Sequence, residues 1–384
     1  MASLTGVQYS GIWNISSQAN AKGAGTWPVG AISGLWTWGS NEDGRLGINN
    51  ETNYSSPKQV GVLSDWSIVT GGRNFSISIK TDGTLWSWGR NNHGQLGINN
   101  TTSYSSPKQI GALTTWYKIS TRSTSVIATK TDGTLWTWGY NVSGQLGLGN
   151  SGAYTSRSFP VQVGALTAWL NVASGYDHSI AIKTDGTLWS WGGNADGQLG
   201  LGNTTNYSSP KQVGALTNWS TVDSGYDHSI AIKTDGTLWA WGLNSQGQLG
   251  LGSTVSRSSP VQVGALTAWS KVACGSRFTI SIKTDGTLWA WGANGSGQSG
   301  LGNITEYSSP KQVGALTVWL KTSSGQYNTT AIKTDGTLWT WGSGATYGQL
   351  GLGNTTNYSS PKQVGAITTW SNIGNGWYHT LAIK

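Results

Sequence analysis

Two dipeptides carry the side chains best suited to chemistry in this sequence: Asp177-His178 and Asp227-His228, with Asp223 close by. A carboxylate beside an imidazole can hold a metal ion or relay a proton when both groups face one point. Each pair sits on a segment that alternates like a β-strand. Neighbouring residues on a strand point to opposite faces, so neither pair converges by itself. A metal centre would need ligands from adjacent units of the chain. The simpler expectation is that His178 and His228 bond local backbone. Other acids are few. The glutamates are Glu42, Glu51 and Glu306, and Asp82, Asp132, Asp185, Asp235, Asp285 and Asp335 belong to Asp-Gly turns. No Gly-x-Ser-x-Gly, phosphate-binding loop or His-Glu-x-x-His occurs. The single cysteine, Cys274, allows no internal disulfide or cysteine-based metal site and reads as a small buried filler. The expectation is a protein that is not an enzyme and uses no cofactor or metal.

These residues sit in a repeat. Leu-Trp-x-Trp-Gly occurs seven times, with tryptophan pairs at 36/38, 86/88, 136/138, 189/191, 239/241, 289/291 and 339/341. A third tryptophan follows each pair at a fixed place, and of 24 tryptophans only Trp13, Trp27 and Trp377 fall outside the pattern. A period near 50 residues with aromatic and glycine marks means a propeller or a solenoid. Each unit reads as four short strands. Ser179-Ile180-Ala181-Ile182-Lys183 alternates with period two. Asp185-Gly186 predicts a tight type I′ hairpin, with positive φ at both residues. In the return strand Leu188-Trp189-Ser190-Trp191-Gly192, both indoles share one face and fill the gap to the next blade. The Gly-Gln-Leu-Gly stretch predicts a tight turn close to neighbouring backbone. Proline in Ser-Ser-Pro-Lys-Gln marks an edge strand. The chain stops after His379-Thr380-Leu381-Ala382-Ile383-Lys384, a first hairpin strand whose partner, Gly34-Leu35-Trp36-Thr37-Trp38-Gly39, lies near the start. Ile383 is therefore expected to pair with Leu35, closing a ring without free edges. The predicted fold is all-β: a closed seven-bladed β-propeller over residues 34–384, preceded by a separate segment, 1–33.

Charge is metered out by the same repeat. Formal net charge is +8, with one lysine before each Thr-Asp-Gly turn balanced by that aspartate. Lys58, Lys108, Lys211, Lys311 and Lys362 supply most of the surplus and are expected to ring one rim, favouring anionic surfaces in general. No basic stripe interleaved with aromatics appears, so no specific nucleic-acid partner is expected. No run of about 18 apolar residues predicts membrane insertion. No signal peptide is visible, so synthesis in the cytoplasm is expected.

The signature Lys-Thr-Asp-Gly-Thr-Leu-Trp-x-Trp-Gly-x-Asn-x-x-Gly-Gln-Leu-Gly-Leu-Gly resembles the RCC1 repeat in all seven units. The resemblance implies a seven-bladed propeller but no single function, since the family includes a guanine-nucleotide exchange factor on chromatin, ubiquitin-ligase subunits and an ultraviolet photoreceptor. The family's Gly-x-x-His column here reads Phe75, Ser125, His178, His228, Phe278, Asn328 and His379. The exchange factor's inserted wedge has no counterpart; the longest insertion is three residues, around Ser151-Gly152-Ala153. The segment Gly376-Trp377-Tyr378-His379-Thr380 is similar to the photoreceptor's tryptophan motif but lacks its arginine.

Within residues 1–33, Trp13, Gln18, Trp27 and Pro28 resemble a short element of phage tail and surface proteins, which implies docking to a protein partner. The first functional expectation is thus a structural or binding subunit of a phage virion (tail, fibre or surface decoration), at a virion or extracellular location. The alternative is an RCC1-type intracellular scaffold that binds a protein such as a small GTPase or a ubiquitin-pathway component. Binding is expected in loops that differ between units. Rim candidates are Tyr54, Tyr104, Tyr207, Tyr307 and Tyr358, with His178 and His228. A host-surface glycan would suit such tyrosines, and oligomers are compatible with the sequence.

Overall fold

The computed structural model describes residues 34–384, apart from Leu63 and Leu266. Trp13, Gln18, Trp27 and Pro28 lie outside the described residues. Seven sheets of four antiparallel strands form the fold. One blade runs outward through Trp169–Ser174, His178–Lys183, Leu188–Gly192 and Tyr207–Gln212. The first strand of each blade packs on its counterparts in the neighbouring blades, so these seven strands wall a central channel. Blades cover both faces of the second and third strands, which explains why Ser179 to Ile182 are all buried. Leu188 and Ser190 fill one face and Trp191 the other, each with no exposed surface. The proline-bearing strand is outermost, as an edge strand should be.

The ring closes across the termini. Leu35–Gly39 pairs antiparallel with His379–Ile383, with Leu35 opposite Ile383 and Gly39 opposite His379. The seventh blade thus takes its two inner strands from the C-terminal end and its two outer strands from the N-terminal side.

The hairpin turn differs from the expected type. Gly186 has φ +77° and Asp185 does not have positive φ. Gly186 N–H donates to Lys183 O at 3.0 Å, so the loop is a type I turn followed by a left-handed glycine. The aspartate accounts for the choice. Its Oδ1 accepts from Thr187 N–H (2.9 Å) and Thr187 O–H (2.7 Å), which holds Asp185 in the right-handed region. Thr187 Oγ1 then accepts from Trp189 Nε1 at 2.9 Å. This relay recurs in all six Thr-Asp-Gly turns. The preceding lysines do more than balance charge: Lys183 Nζ lies 5.0 and 5.1 Å from the rings of Trp169 and Trp189.

Blades are joined through one main-chain oxygen each. Gln198 O accepts from Trp241 Nε1 (2.9 Å) and from Ser229 Oγ (2.9 Å), both on the next blade. The glycine two residues later admits that indole: a Cβ at Gly200 would lie 2.8 Å from Trp241 Nε1. The glycine-rich stretch therefore approaches a side chain of the neighbouring blade as well as backbone. Trp219 meets Trp239 and Trp241 edge-on at 6.0 and 6.2 Å, completing an indole layer between blades.

Candidate functional site

The two Asp-His pairs do not converge. His178 and His228 start their strands and are completely buried. His178 Nε2 lies 3.0 Å from Ser229 Oγ, and His228 Nε2 lies 3.3 Å from Thr279 Oγ1, each on the next blade. The histidines thus bridge blades and do not bond local backbone. Since Ser229 O–H is donated to Gln198 O, the hydroxyl accepts from His178 Nε2–H. Burial, followed by the positive charge of Arg122, lowers the pKa of His178 to about 3, and that of His228 likewise. Both rings are neutral at ordinary pH and offer no surface to a ligand. Asp177 turns the other way, to Ser143 Oγ at 3.2 Å. Among the described residues no three His, Cys, Asp or Glu side chains are grouped to hold a metal.

The five recurrent tyrosines are half-buried at the start of outermost strands, one per blade, and are not brought together. Each carries the lysine four residues on, with Nζ 5.0–5.5 Å from the ring centroid. The expected lysine rim is therefore a set of Tyr–Lys pairs around the circumference. In two blades Arg157 and Arg257 replace the tyrosine.

A different set of side chains does come together. The turns between the first and second strands crowd one mouth of the channel. They are tied head to tail: Arg73 N–H donates to Ser123 O, Tyr176 N–H to Tyr226 O, Tyr226 N–H to Ser276 O and Trp377 N–H to Gly72 O. Tyr176 and Tyr226 stack at 4.1 Å with 12° between rings. Trp377 lies 5.5 Å from Tyr226 and 6.0 Å from Tyr176, and Arg73 sits 4.7 Å above the Trp377 ring. Trp377 is only 6% exposed, whereas Tyr327 is 42% exposed and Arg73 and Arg277 face solvent. Sequence reasoning missed this cluster. The available signal was the pair of residues before the histidine column, which varies from Arg73-Asn74 to Trp377-Tyr378 and repeats only as Tyr-Asp at 176-177 and 226-227.

Beneath this mouth the channel holds a polar chamber of about 220 Å³. Arg122 stands where the other units have glycine, and its guanidinium reaches across to Cys274 O. Asp223 Oδ2 accepts from Cys274 N–H at 2.6 Å, and burial raises the pKa of Asp223. Cys274 is fully buried and its thiol is held well above the usual range, so it is an inert filler with two charged neighbours.

Seven four-stranded blades with a closed ring, a narrow polar channel and one aromatic, arginine-bearing mouth define a binding propeller. The chain matches the Regulator of chromosome condensation (RCC1) repeat over residues 34–79, 82–125, 132–182, 185–232, 235–282, 285–332 and 335–383. It belongs to the RCC1-repeat family. Among solved structures it is similar to yeast RCC1 (Prp20) bound to Kap60, with a TM-score of 0.81, 19% identity, and coverage of 92% of this chain and 88% of that one. Human WBSCR16 gives a TM-score of 0.81 at 21% identity, covering 91% and 98%. Prp20p from Saccharomyces cerevisiae, described with its binding to Gsp1p and histones, gives 0.79 at 19% identity, covering 92% and 91%. The virion or extracellular location expected above is corrected by these matches. The similar structures named above come from yeast and human proteins, which point away from a virion.

Proposed function

We propose that the protein is a non-catalytic scaffold that binds a protein partner at the channel mouth formed by Arg73, Tyr176, Tyr226, Tyr327, Trp377 and Tyr378. The carrying observation is the stack of Tyr176, Tyr226 and Trp377 under Arg73, with exposed Tyr327 and Arg277 beside it. Tyrosine, tryptophan and arginine are the residues that dominate protein interfaces. The rings are rigid because they are already stacked, so little side-chain entropy is lost on binding. The binding of Prp20 to Kap60, Gsp1p and histones supports a protein as the class of partner. A small GTPase or a ubiquitin-pathway protein fits that class. Residues 1–33 are proposed as a second contact to a protein, through Trp13, Gln18, Trp27 and Pro28.

The test is affinity capture with three forms of the full chain: the parent, a mouth variant (Arg73→Ala, Tyr327→Ala, Tyr378→Ala) and a circumference variant (Tyr54→Ala, Tyr207→Ala, Tyr358→Ala). The reading requires a discrete protein held by the parent and the circumference variant and lost from the mouth variant. Retention that does not depend on the mouth overturns it. Unchanged affinity in a variant lacking residues 1–33 removes the second contact only.

A further inference from the structure

The same face has a second feature, confined to three consecutive blades. A cleft of about 470 Å³ opens beside Tyr226 and is lined by Tyr327, Arg277, Glu306, Gln246 and Gln326, among others. The repeat supplies an internal control for it. The residue before the outermost strand normally stitches the loop of its own blade. Asn53 Oδ1 accepts from Asn41 N–H at 2.7 Å, Asn206 Oδ1 from Asn194 N–H at 2.8 Å, Ser256 Oγ from Asn244 N–H at 3.2 Å, and Asn357 Oδ1 from Gly344 N–H at 2.9 Å. The position is Glu306 in this unit, and no such bond to Asn294 N–H is made. The carboxylate is exposed and faces Gln246 across the cleft. With the Gln246 carboxamide turned to donate, Nε2 lies 2.7 and 2.5 Å from the two Glu306 oxygens.

Arg277 is the complementary oddity. It occupies the column that holds Asp177 and Asp227 in the two preceding units. Among the described residues it makes no ion pair, either with Glu306 or with Asp227. Asp227 attenuates its charge only in part, because burial and the nearby Asp177 and Asp196 push the pKa of Asp227 up to about 7. The cleft therefore carries one cation and one carboxylate that do not bridge each other. Two tyrosines and three carboxamides line the same cleft, and Gln326 Oε1 is buried without a partner. Carboxamides match main-chain N–H and C=O groups. A ligand of single charge would meet repulsion at one end.

We propose that this cleft seats a short peptide segment of the protein partner that carries one acidic and one basic side chain, the acid on Arg277 and the base on Glu306. This rests on the reading that the mouth face binds a protein, and it names what that protein presents. The test titrates the full chain with Ac-Glu-Gly-Lys-NH2, Ac-Glu-Gly-Glu-NH2 and Ac-Lys-Gly-Lys-NH2, following the side-chain amide resonances of Gln246 and Gln326. The mixed peptide should saturate these resonances, with each like-charged peptide about tenfold weaker. Arg277→Gln should abolish the preference. Glu306→Asn restores the loop-stitching residue of the other blades, so it should raise the melting temperature while losing the peptide. That pairing separates loss of the site from loss of the fold. Equal response to all three peptides, no saturable response, or parent-like binding by Glu306→Asn overturns the proposal. If the peptides behave as expected but the mouth variant keeps its captured protein, the wider reading fails and the cleft stands.

Discussion

The main-chain oxygen of Gln198 accepts an indole N–H and a hydroxyl from the next blade, and most units repeat this. Two departures show what it contributes. Val126 replaces the hydroxyl, so Gln95 O receives only Trp138 Nε1. Trp88 Nε1 is buried without a partner where Arg45 replaces the glutamine. Val126→Thr should supply the missing donor and stabilise by about 0.5–1.5 kcal/mol, and Ser229→Ala should cost a similar amount, both read by urea unfolding. The hydroxyls also set an acid response through the histidines above them. His178 and His228 are held near 3 in the fold, whereas an unfolded imidazole titrates near 6.5. Between those values the unfolded chain binds more protons, so stability falls as pH drops from about 6.5 towards 3. His178→Phe, a residue the same column holds at Phe75 and Phe278, should flatten that limb. Asp227 acts with the opposite sign. Its pKa is raised to about 7, so the native state binds the extra proton and stability falls as pH rises from about 4 to 7. Asp227→Asn should remove that slope in melting temperatures recorded across this range.

At the scale of elements, strand alternation and the Leu35–Ile383 register were legible because both are local patterns, period two and an offset of repeats. The turn type was not. Asp-Gly is compatible with two hairpin geometries, and the choice depends on Thr187, whose hydroxyl and amide both draw on Asp185. The partners of the histidines were not legible either. Ser229 lies 51 residues from His178, and only the ring geometry brings them together. The Trp377–Tyr226 stack is hidden for the same reason, and because its residues occupy the unspecified positions of Gly-x-x-His. The turn itself is demanding. Gly186 has φ +77°, and a Cβ there would lie 2.0 Å from Thr217 O. Gly186→Ala should cost roughly 1–3 kcal/mol, measurable by thermal unfolding, because neither the conformation nor the carbonyl can yield cheaply.

For the whole molecule, the channel brings Arg122 and Asp223, from different blades, to one residue of a third. Arg122 and Asp223 both contact the main chain of Cys274, one at its oxygen and one at its nitrogen. Arg122→Gly restores the repeat but strands Asp223 in the chamber. Asp223→Asn should be far less harmful in that background than in the parent. A double-mutant cycle should give a coupling of about 0.5–3 kcal/mol. The join at Leu35–Gly39 has its own consequence. The bonds made at this oxygen run one way: in most blades an acceptor oxygen is offered forward and hydroxyl and indole donors backward. A ring parted at any junction would thus bear two unlike ends, each matching the opposite end of another molecule. Such a heterologous contact does not pair off into dimers; it propagates, molecule after molecule, into a filament. The final strand, His379–Ile383, is therefore also a stop against polymerisation.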